Sequence, residues 1–339
     1  MFLSKIWFFL IALAAAIALT IALVMPRPAQ RQAVADEQNR LAVACGVVNI
    51  LLSDDARNRV ELAGSFSRTP EIVSALEAAS NADRLDETRM KQVRDVGEKI
   101  MKGISGRKPD FAMLVDKRGR VVARVKLDEN DFGDTVAGRP LVDDALAGYL
   151  RDDIWAQNGT MYFVSASPAI KRDPPVAYVG AVILGHKVTN ELATKLVSSL
   201  NVDVGFYLGN DDVAGSKTMA IDHSKMVKSL DTLKGDMATD CQANHPIDVR
   251  ASNVDYTALV ARLPGEAQSR QAHYAVMVKK QAAIGFSGTL KVVSKSDLSF
   301  GNFPWIVVGG LFLVGLGLGI AFMFIESDRP LRRRAADAG

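Results

Sequence analysis

Residues 111–125 read FAMLVDKRGRVVARV, and this stretch decides how the chain divides. Residues 111–115 are apolar, residues 116–119 (DKRG) combine charge with a glycine, and residues 121–125 form a second apolar-rich run. Short apolar runs joined by such a turn predict two antiparallel strands in a hairpin. The preceding residues have helical spacing, whereas the following residues alternate short apolar runs with turns.

A helical stalk is predicted over residues 26–110. Within residues 29–66, apolar residues recur at three-, four- and seven-residue spacings, which puts them on one stripe of a long helix. The stripe consists of Val34, Leu41, Cys45, Val48, Leu52, Leu62 and Phe66. Two shorter helices are expected over residues 70–80, where Thr69 and Pro70 provide a start signal, and over residues 86–104.

After the hairpin, strands are predicted at residues 161–167, 176–184 and 202–208, with helices over residues 140–147 and 189–200. Antiparallel strands with helices to one side describe an α+β fold. We assign residues 111–215 to one lobe. Residues 216–302 form either a smaller second lobe with the return to the membrane or an elaboration of the first, so one lobe or two stays open.

Two uncharged apolar runs, residues 6–25 and 303–325, flank this region. A helix rises about 1.5 Å per residue and the bilayer core is about 30 Å thick, so each run is long enough to span. We therefore predict two transmembrane helices. For the first run the alternative is a cleaved signal peptide, but its length and the following Pro-Arg-Pro favour an uncleaved anchor.

Basic residues set the orientation. Arg329 and Arg332 to Arg334 follow the second run and Lys5 precedes the first, and cytoplasmic flanks are enriched in lysine and arginine. Residues 1–5 and the basic tail 326–339 are therefore expected in the cytoplasm, with residues 26–302 outside and membrane lipid as a partner. Elsewhere the two signs nearly balance, which argues against a nucleic-acid partner.

Four of the patterned segments resemble one known family. They are residues 112–124 (AMLVDKRGRVVAR), 132–148 (FGDTVAGRPLVDDALAG), 161–170 (MYFVSASPAI) and 176–196 (VAYVGAVILGHKVTNELATKL). In this order they resemble the extracytoplasmic Cache sensor domains of bacterial membrane receptors, most of all the double-Cache type. The resemblance implies a PAS-like antiparallel sheet packed on a long N-terminal helix. It also implies a small organic ligand bound between sheet and loops.

The tail carries a second, weaker resemblance. Residues 327–331 (SDRPL) are similar to the opening of a HAMP linker, although a stop-transfer flank explains the same residues. The chain ends at Gly339 before a whole HAMP unit, kinase or cyclase. We therefore expect a C-terminal output domain beyond this sequence or a separate cytoplasmic signalling partner.

Catalytic chemistry is not expected. The four histidines are too scattered for a local metal motif, and there is no CxxC motif or phosphate-binding loop. No enzyme activity, cofactor or metal site is therefore predicted. Cys45 and Cys241 are the two cysteines. An oxidising compartment permits a disulfide, but the core-like spacing of Cys45 favours a buried free thiol, and their pairing stays open.

Six residues are candidates for ligand contact because a pocket combines apolar walls with a few polar groups. An arginine on a strand suits a carboxylate, and aromatic side chains wall a pocket or fill a core. The candidates are Arg124, Arg139, Trp155, Ser165, Ser167 and Tyr178. Ser165 and Ser167 share a face of their strand and Tyr162 points oppositely, so these three cannot line one cavity.

The sequence thus predicts a two-pass protein of the bacterial inner membrane with a periplasmic sensor domain. Ligand binding outside is expected to send a signal through the second transmembrane helix. Gly315 and Gly319 form a GxxxG pair that permits close helix contact and favours a homodimer. The alternative is a non-catalytic envelope scaffold whose outer domain binds another membrane protein.

Overall fold

The structure, a computed structural model, describes residues 26–127, 133–218, 221–230, 237–251 and 254–280, with scattered positions in the two apolar runs. Residues Met1–Gln38 and Gln281–Gly339 form one compact unit and Asn39–Lys280 another. No helix within the described residues is both long and apolar enough to cross a membrane. Most of both predicted spans lies outside these residues, as do Gly315, Gly319 and the HAMP-like tail.

The described part of the chain contains helices and strands in an α+β arrangement, as predicted. The helices are α1 (Pro26–Ser67), α2 (Pro70–Ser80), α3 (Glu87–Gly103), α4 (Pro140–Leu146), α5 (Asn190–Val197) and α6 (His223–Leu230). The strands are β1 (Phe111–Asp116), β2 (Val121–Val125), β3 (Arg151–Gln157), β4 (Thr160–Lys171), β5 (Ala177–Lys187), β6 (Asp203–Leu208), β7 (Asp211–Gly215), β8 (Ile247–Ala251), β9 (Val254–Arg262) and β10 (Ala272–Lys279). The predicted hairpin is β1–β2.

The strands form two five-stranded sheets, in the orders β2-β1-β5-β4-β3 and β7-β6-β10-β9-β8. Every pairing is antiparallel. Each lobe therefore places its last strand beside its first and its third strand at an edge. The second lobe repeats the topology of the first, which settles that there are two lobes.

The lobe boundary at residue 215 is corrected by the strand pairing. Strands β6 and β7, which we assigned to the first lobe, belong to the second sheet because β6 pairs with β10. Strands β3, β7 and β8 were not predicted. All three are edge strands with exposed positions, so they carry a weaker apolar signal than the central strands.

Helix α1 packs on both lobes. Its residues Leu41, Cys45 and Val48 belong to a core with the second sheet and α5, while Ala63 and Phe66 pack with α2, α3 and the first sheet. All of these except Ala63 are positions of the predicted apolar stripe, whereas Val34, its first predicted member, is exposed. At about 1.5 Å per residue the helix is roughly 60 Å long, so a single helix is long enough to contact both lobes.

The two cysteines are joined, contrary to the expectation of a free thiol. Cys45 on α1 and Cys241, in a short 3₁₀ helix (Cys241–Ala243), form a disulfide with their Cα atoms 6.2 Å apart. The bond links positions 196 residues apart. Helical spacing correctly indicated that Cys45 is buried. It could not indicate which distant element covers that face of the helix.

Candidate functional site

The first sheet has two covered faces. One face packs against α1, α2 and α3. The other, which we call the front face, packs against α4 and carries three aromatic side chains, Phe111, Trp155 and Tyr162. Trp155 on β3 lies directly opposite Tyr162 on β4. The rings of Phe111 and Tyr162 meet edge to face, with centroids 5.3 Å apart. We call these three residues the aromatic group.

Trp155 carries a polar atom that the protein leaves unused. The side chain is 4% exposed, and its indole N–H has no hydrogen-bond partner among the described residues. Buried tryptophan N–H groups usually find an acceptor, and an unsatisfied buried donor costs about 1–3 kcal/mol. This N–H is therefore an unpaired donor buried on the front face of the sheet.

A glycine makes the aromatic group possible. Gly185 on β5 pairs with Phe111 on β1, and a Cβ atom at residue 185 would lie 2.0 Å from a ring atom of Phe111. Because residue 185 has no side chain, the Phe111 ring crosses β5 and reaches Tyr162. Desolvation, followed by the charge of Asp110, raises the pKa of the Tyr162 phenol. Tyr162 therefore remains an O–H donor at neutral pH.

Arg139 joins this group at the start of α4. Its guanidinium carbon lies 4.4 Å from the centroid of the Trp155 ring, within cation–π range. The same guanidinium lies 3.9 Å from a carboxylate oxygen of Glu266, which belongs to the second lobe. The other oxygen, Oε2, is buried without a partner in the described structure. Arg139 thus contacts both the aromatic group and the second lobe.

Asp153, two residues before Trp155 on β3, also contacts the second lobe. Its Oδ1 accepts the backbone N–H groups of Ile154, at 2.7 Å, and Glu266, at 2.8 Å. Gly265 has a φ of +89°, and a Cβ there would lie 1.8 Å from Asp153 Oδ1. Only glycine permits this close approach, so β3 is held directly to the second lobe.

The structure brings together two of the six predicted ligand-contact residues, Arg139 and Trp155. Arg124 lies on β2, at the opposite edge of the sheet, four strand spacings or about 19 Å from β3. Its guanidinium binds both carboxylate oxygens of Asp134, at 2.9 and 2.7 Å. Hydrogen bonding to Arg124 is the main reason that the pKa of Asp134 is lowered.

Ser165 and Ser167 share a face that is opposite to Tyr162, as predicted, but that face packs on α1. The Ser165 hydroxyl donates to the backbone oxygen of Arg59 at 3.0 Å, and the hydroxyls of Ser167 and Ser67 are 2.8 Å apart. These groups bind the sheet to the helix, and the role of Ser165 and Ser167 in ligand contact stays a prediction. Tyr178 is half-exposed at the start of β5, with its hydroxyl beside Gly148 and outside the aromatic group.

A cluster of charged groups around the buried Arg59, on the α1 side, was not predicted. Arg59 pairs with Asp55 one helical turn earlier, and Arg107 lies 3.4 Å from the same carboxylate. His186 is buried next to them, and its Nδ1 has no partner in the part of the chain described. The i, i+4 spacing of an acid and an arginine within the apolar stretch of α1 was the available signal.

His186 makes stability depend on pH. Burial, then the charges of Arg107 and Arg59, lower its pKa to about 3, whereas an unfolded histidine titrates near about 6.5. The unfolded chain therefore binds a proton that the folded chain excludes. Stability is full above about pH 6.5 and falls with decreasing pH down to about 3, by up to about 1.4 kcal/mol per pH unit.

We expect His186→Gln to flatten this slope between pH 4 and 6.5, measured by urea unfolding at several pH values. Burial also lowers the pKa of His273, so a smaller slope of the same sign should remain. A His273→Gln variant is the matched control and should keep the His186 contribution. Equal slopes in the wild type and His186→Gln would contradict the prediction.

Comparison with known proteins gives structural matches alone. No family model and no curated protein matches the chain. The sensor domain of the Vibrio cholerae histidine kinase DctB aligns over 75% of this chain and 100% of its own, at 15% identity and a TM-score of 0.45. The periplasmic domain of Vibrio cholerae LuxQ aligns over 70% and 99%, at 9% identity and a TM-score of 0.43.

A third match is the ligand-binding domain of the Pseudomonas fluorescens chemoreceptor CtaA, solved in complex with L-serine. It aligns over 74% of this chain and 99% of its own, at 14% identity and a TM-score of 0.40. The three matched proteins are sensor or ligand-binding domains, and their TM-scores to this chain all lie below 0.5. The HAMP-like tail stays a prediction.

Proposed function

We propose that this chain is a membrane-bound extracytoplasmic sensor whose first lobe binds a small organic ligand at the aromatic group. The observation that carries the proposal is the buried indole N–H of Trp155, which has no acceptor among the described residues. Trp155 pairs with Tyr162 across the strands, and its ring contacts the Arg139 guanidinium. A ligand with an acceptor such as a carboxylate would satisfy this donor. Its apolar part would contact the aromatic rings.

Membrane attachment is supported by the two apolar runs and by their described positions. Residues 10 and 313 are helical, and their leucine side chains are 50% and 67% exposed. Exposed apolar side chains in series are unfavourable in water and favourable in lipid. We propose that the second run carries the signal to a cytoplasmic output module or partner, and that the chain acts as a homodimer.

Arg139 could transmit the effect of ligand binding to the second lobe. A ligand carboxylate that attracts the guanidinium would compete with Glu266, and β3 also connects Trp155 to the Asp153–Glu266 contact. A ligand shifts a conformational equilibrium only by its difference in affinity for the two states. The bridging position of Arg139 would provide that difference.

The proposal is tested by measuring the Tm of the full-length chain in detergent with each member of a panel of amino acids and small organic acids. A ligand at 100 times its Kd adds about 2.7 kcal/mol, which raises Tm by roughly 5–10 °C for a domain of this size. Trp155→Phe should remove most of the increase because the ring remains and the donor is lost. Tyr178→Phe, outside the aromatic group, is the control and should respond like the wild type.

A panel that never shifts Tm, or a Trp155→Phe variant that responds fully, would contradict the proposal. The second candidate function is an envelope scaffold, favoured by exposed apolar residues in the first lobe. They lie after α4 and at the start of β5 and are Tyr149, Leu150, Val176 and Tyr178. Co-purification of another membrane protein, lost in a Val176→Glu variant, would support this function.

A further inference from the structure

A cavity of about 870 Å³ lies between α1, strand β3 and the residues that follow β9. It is on the α1 side of the first sheet, because its wall includes Ile154 and Phe163, which belong to the core shared with α1 and the second sheet. Trp155 points to the opposite face of the same strand. The cavity is therefore separate from the aromatic group.

Arg59 is the buried one of the four arginines that line the cavity. Its side chain is 6% exposed and lines the cavity, with the guanidinium carbon 4.7 Å from the centroid of the Phe163 ring. One terminal nitrogen pairs with Asp55, whereas Nε has no acceptor in the described residues. Desolvation lowers the pKa of Arg59 to about 10, so the guanidinium is still charged at neutral pH. A buried, charged N–H without an acceptor favours an anion.

Several acids that line the cavity are already engaged. Asp153 accepts two backbone N–H groups, as described above, and Asp240 accepts the Asn49 amide at 3.2 Å and the Gln242 N–H at 3.0 Å. Asp152 and Glu61 line the cavity too, as do Arg57, Arg151 and Arg262, so the wall carries four acids and four arginines. A wall without net charge favours a singly charged carboxylate over a multiply charged phosphate.

The remaining wall suits a short apolar body. Leu52, Ile154, Phe163 and Leu263 are apolar, and the polar Ser53 and Tyr274 lie among them. Convergent polar groups on a mainly apolar wall are typical of small-molecule sites. Because the wall includes α1 and both lobes, an occupant would contact all three.

We propose that this cavity is a second ligand site, which binds a small monocarboxylate through the Nε–H of Arg59. The site is distinct from the aromatic group, and an occupant would fix the position of the two lobes on α1. It goes beyond the sensor function proposed above, since either site can bind without the other.

Isothermal titration of the full-length chain in detergent tests the proposal, with propionate as the probe and propionamide as its uncharged analogue. We expect saturable heat with propionate and none with propionamide at equal concentration. Ser53→Met places a side chain in the cavity from the exposed side of α1 and should weaken propionate binding at least about tenfold. Ser65→Met, exposed on the same helix but outside the cavity, should bind like the wild type.

Arg59→Lys keeps the charge, removes the Nε–H, and should also weaken binding; circular dichroism confirms that the variant is folded. Equal binding of propionamide, unchanged binding in Ser53→Met, or no propionate binding at all would overturn the proposal. Binding of inorganic phosphate in place of propionate would overturn the ligand class. Trp155→Phe should leave propionate binding intact, and loss there would place propionate at the aromatic group and overturn the second site.

Discussion

Cys241→Ser is expected to lower the free energy of unfolding by about 4–5 kcal/mol, because the disulfide closes a loop far longer than 100 residues in the unfolded chain. For a domain of this size, Tm should fall by roughly 8–20 °C. Thermal unfolding followed by circular dichroism measures the change. Both cysteines are fully buried, so the serine also places a hydroxyl in an apolar core.

A double variant separates the bond from the packing. If the sulfurs are bonded, Cys45→Ala and Cys241→Ala each remove the whole bond, so the double variant should lose about as much stability as either single variant. Two independent buried thiols would instead give additive losses. Additive losses would contradict the disulfide.

Asp116→Ala is expected to lower the free energy of unfolding by about 3–5 kcal/mol, because it removes a fully buried carboxylate that accepts two backbone N–H groups and the Arg120 guanidinium. Asp116 is 0% exposed and accepts the backbone N–H groups of Arg118 and Arg120, both at 2.9 Å. It also accepts Nε of Arg120 at 2.8 Å. The Arg120 guanidinium binds the carbonyls of Ala79 and Ala82 at the end of α2, so the pair ties the β1–β2 turn to that helix.

The same lobe offers a matched aspartate–arginine pair near the surface. Asp134 binds Arg124 through two hydrogen bonds. Asp134→Ala should cost only about 1 kcal/mol, because the carboxylate that is removed is half-exposed, although Arg124 itself is 12% exposed. Asp116→Asn should fall between the two, because one oxygen still accepts N–H groups. Urea unfolding of the three variants gives the order. Similar losses for Asp116→Ala and Asp134→Ala would show that burial does not control the effect.

Strand β3 connects the two proposed ligand regions. Successive side chains of a strand point to opposite faces, so Trp155 reaches the aromatic group while Ile154 lines the cavity beside α1. Asp153 on the same strand holds the second lobe. A small displacement of β3 would therefore move side chains at both proposed ligand regions and at the contact between the two lobes.

The sequence by itself determined the elements whose signals are local. The apolar stripe of α1, the start of α2 at Pro70 and the turn at Gly119 depend on residues within a few positions of each other. The structure contains all three, except that Val34 of the stripe is exposed. The alternation that separates Ser165 and Ser167 from Tyr162 is equally local. The α+β class and the resemblance to sensor domains follow from the order of such elements.

Only the tertiary structure decided which distant residues meet. The sequence showed that Arg124 could bind a carboxylate but not that Asp134 supplies it, and it placed Cys45 in a core without showing Cys241 opposite. The assignment of β6 to the second sheet, the buried position of Arg59 and the cavity beside it all depend on contacts between remote segments. Periodicity indicates which face of an element is covered, whereas the covering element is chosen by the free energy of packing the whole chain.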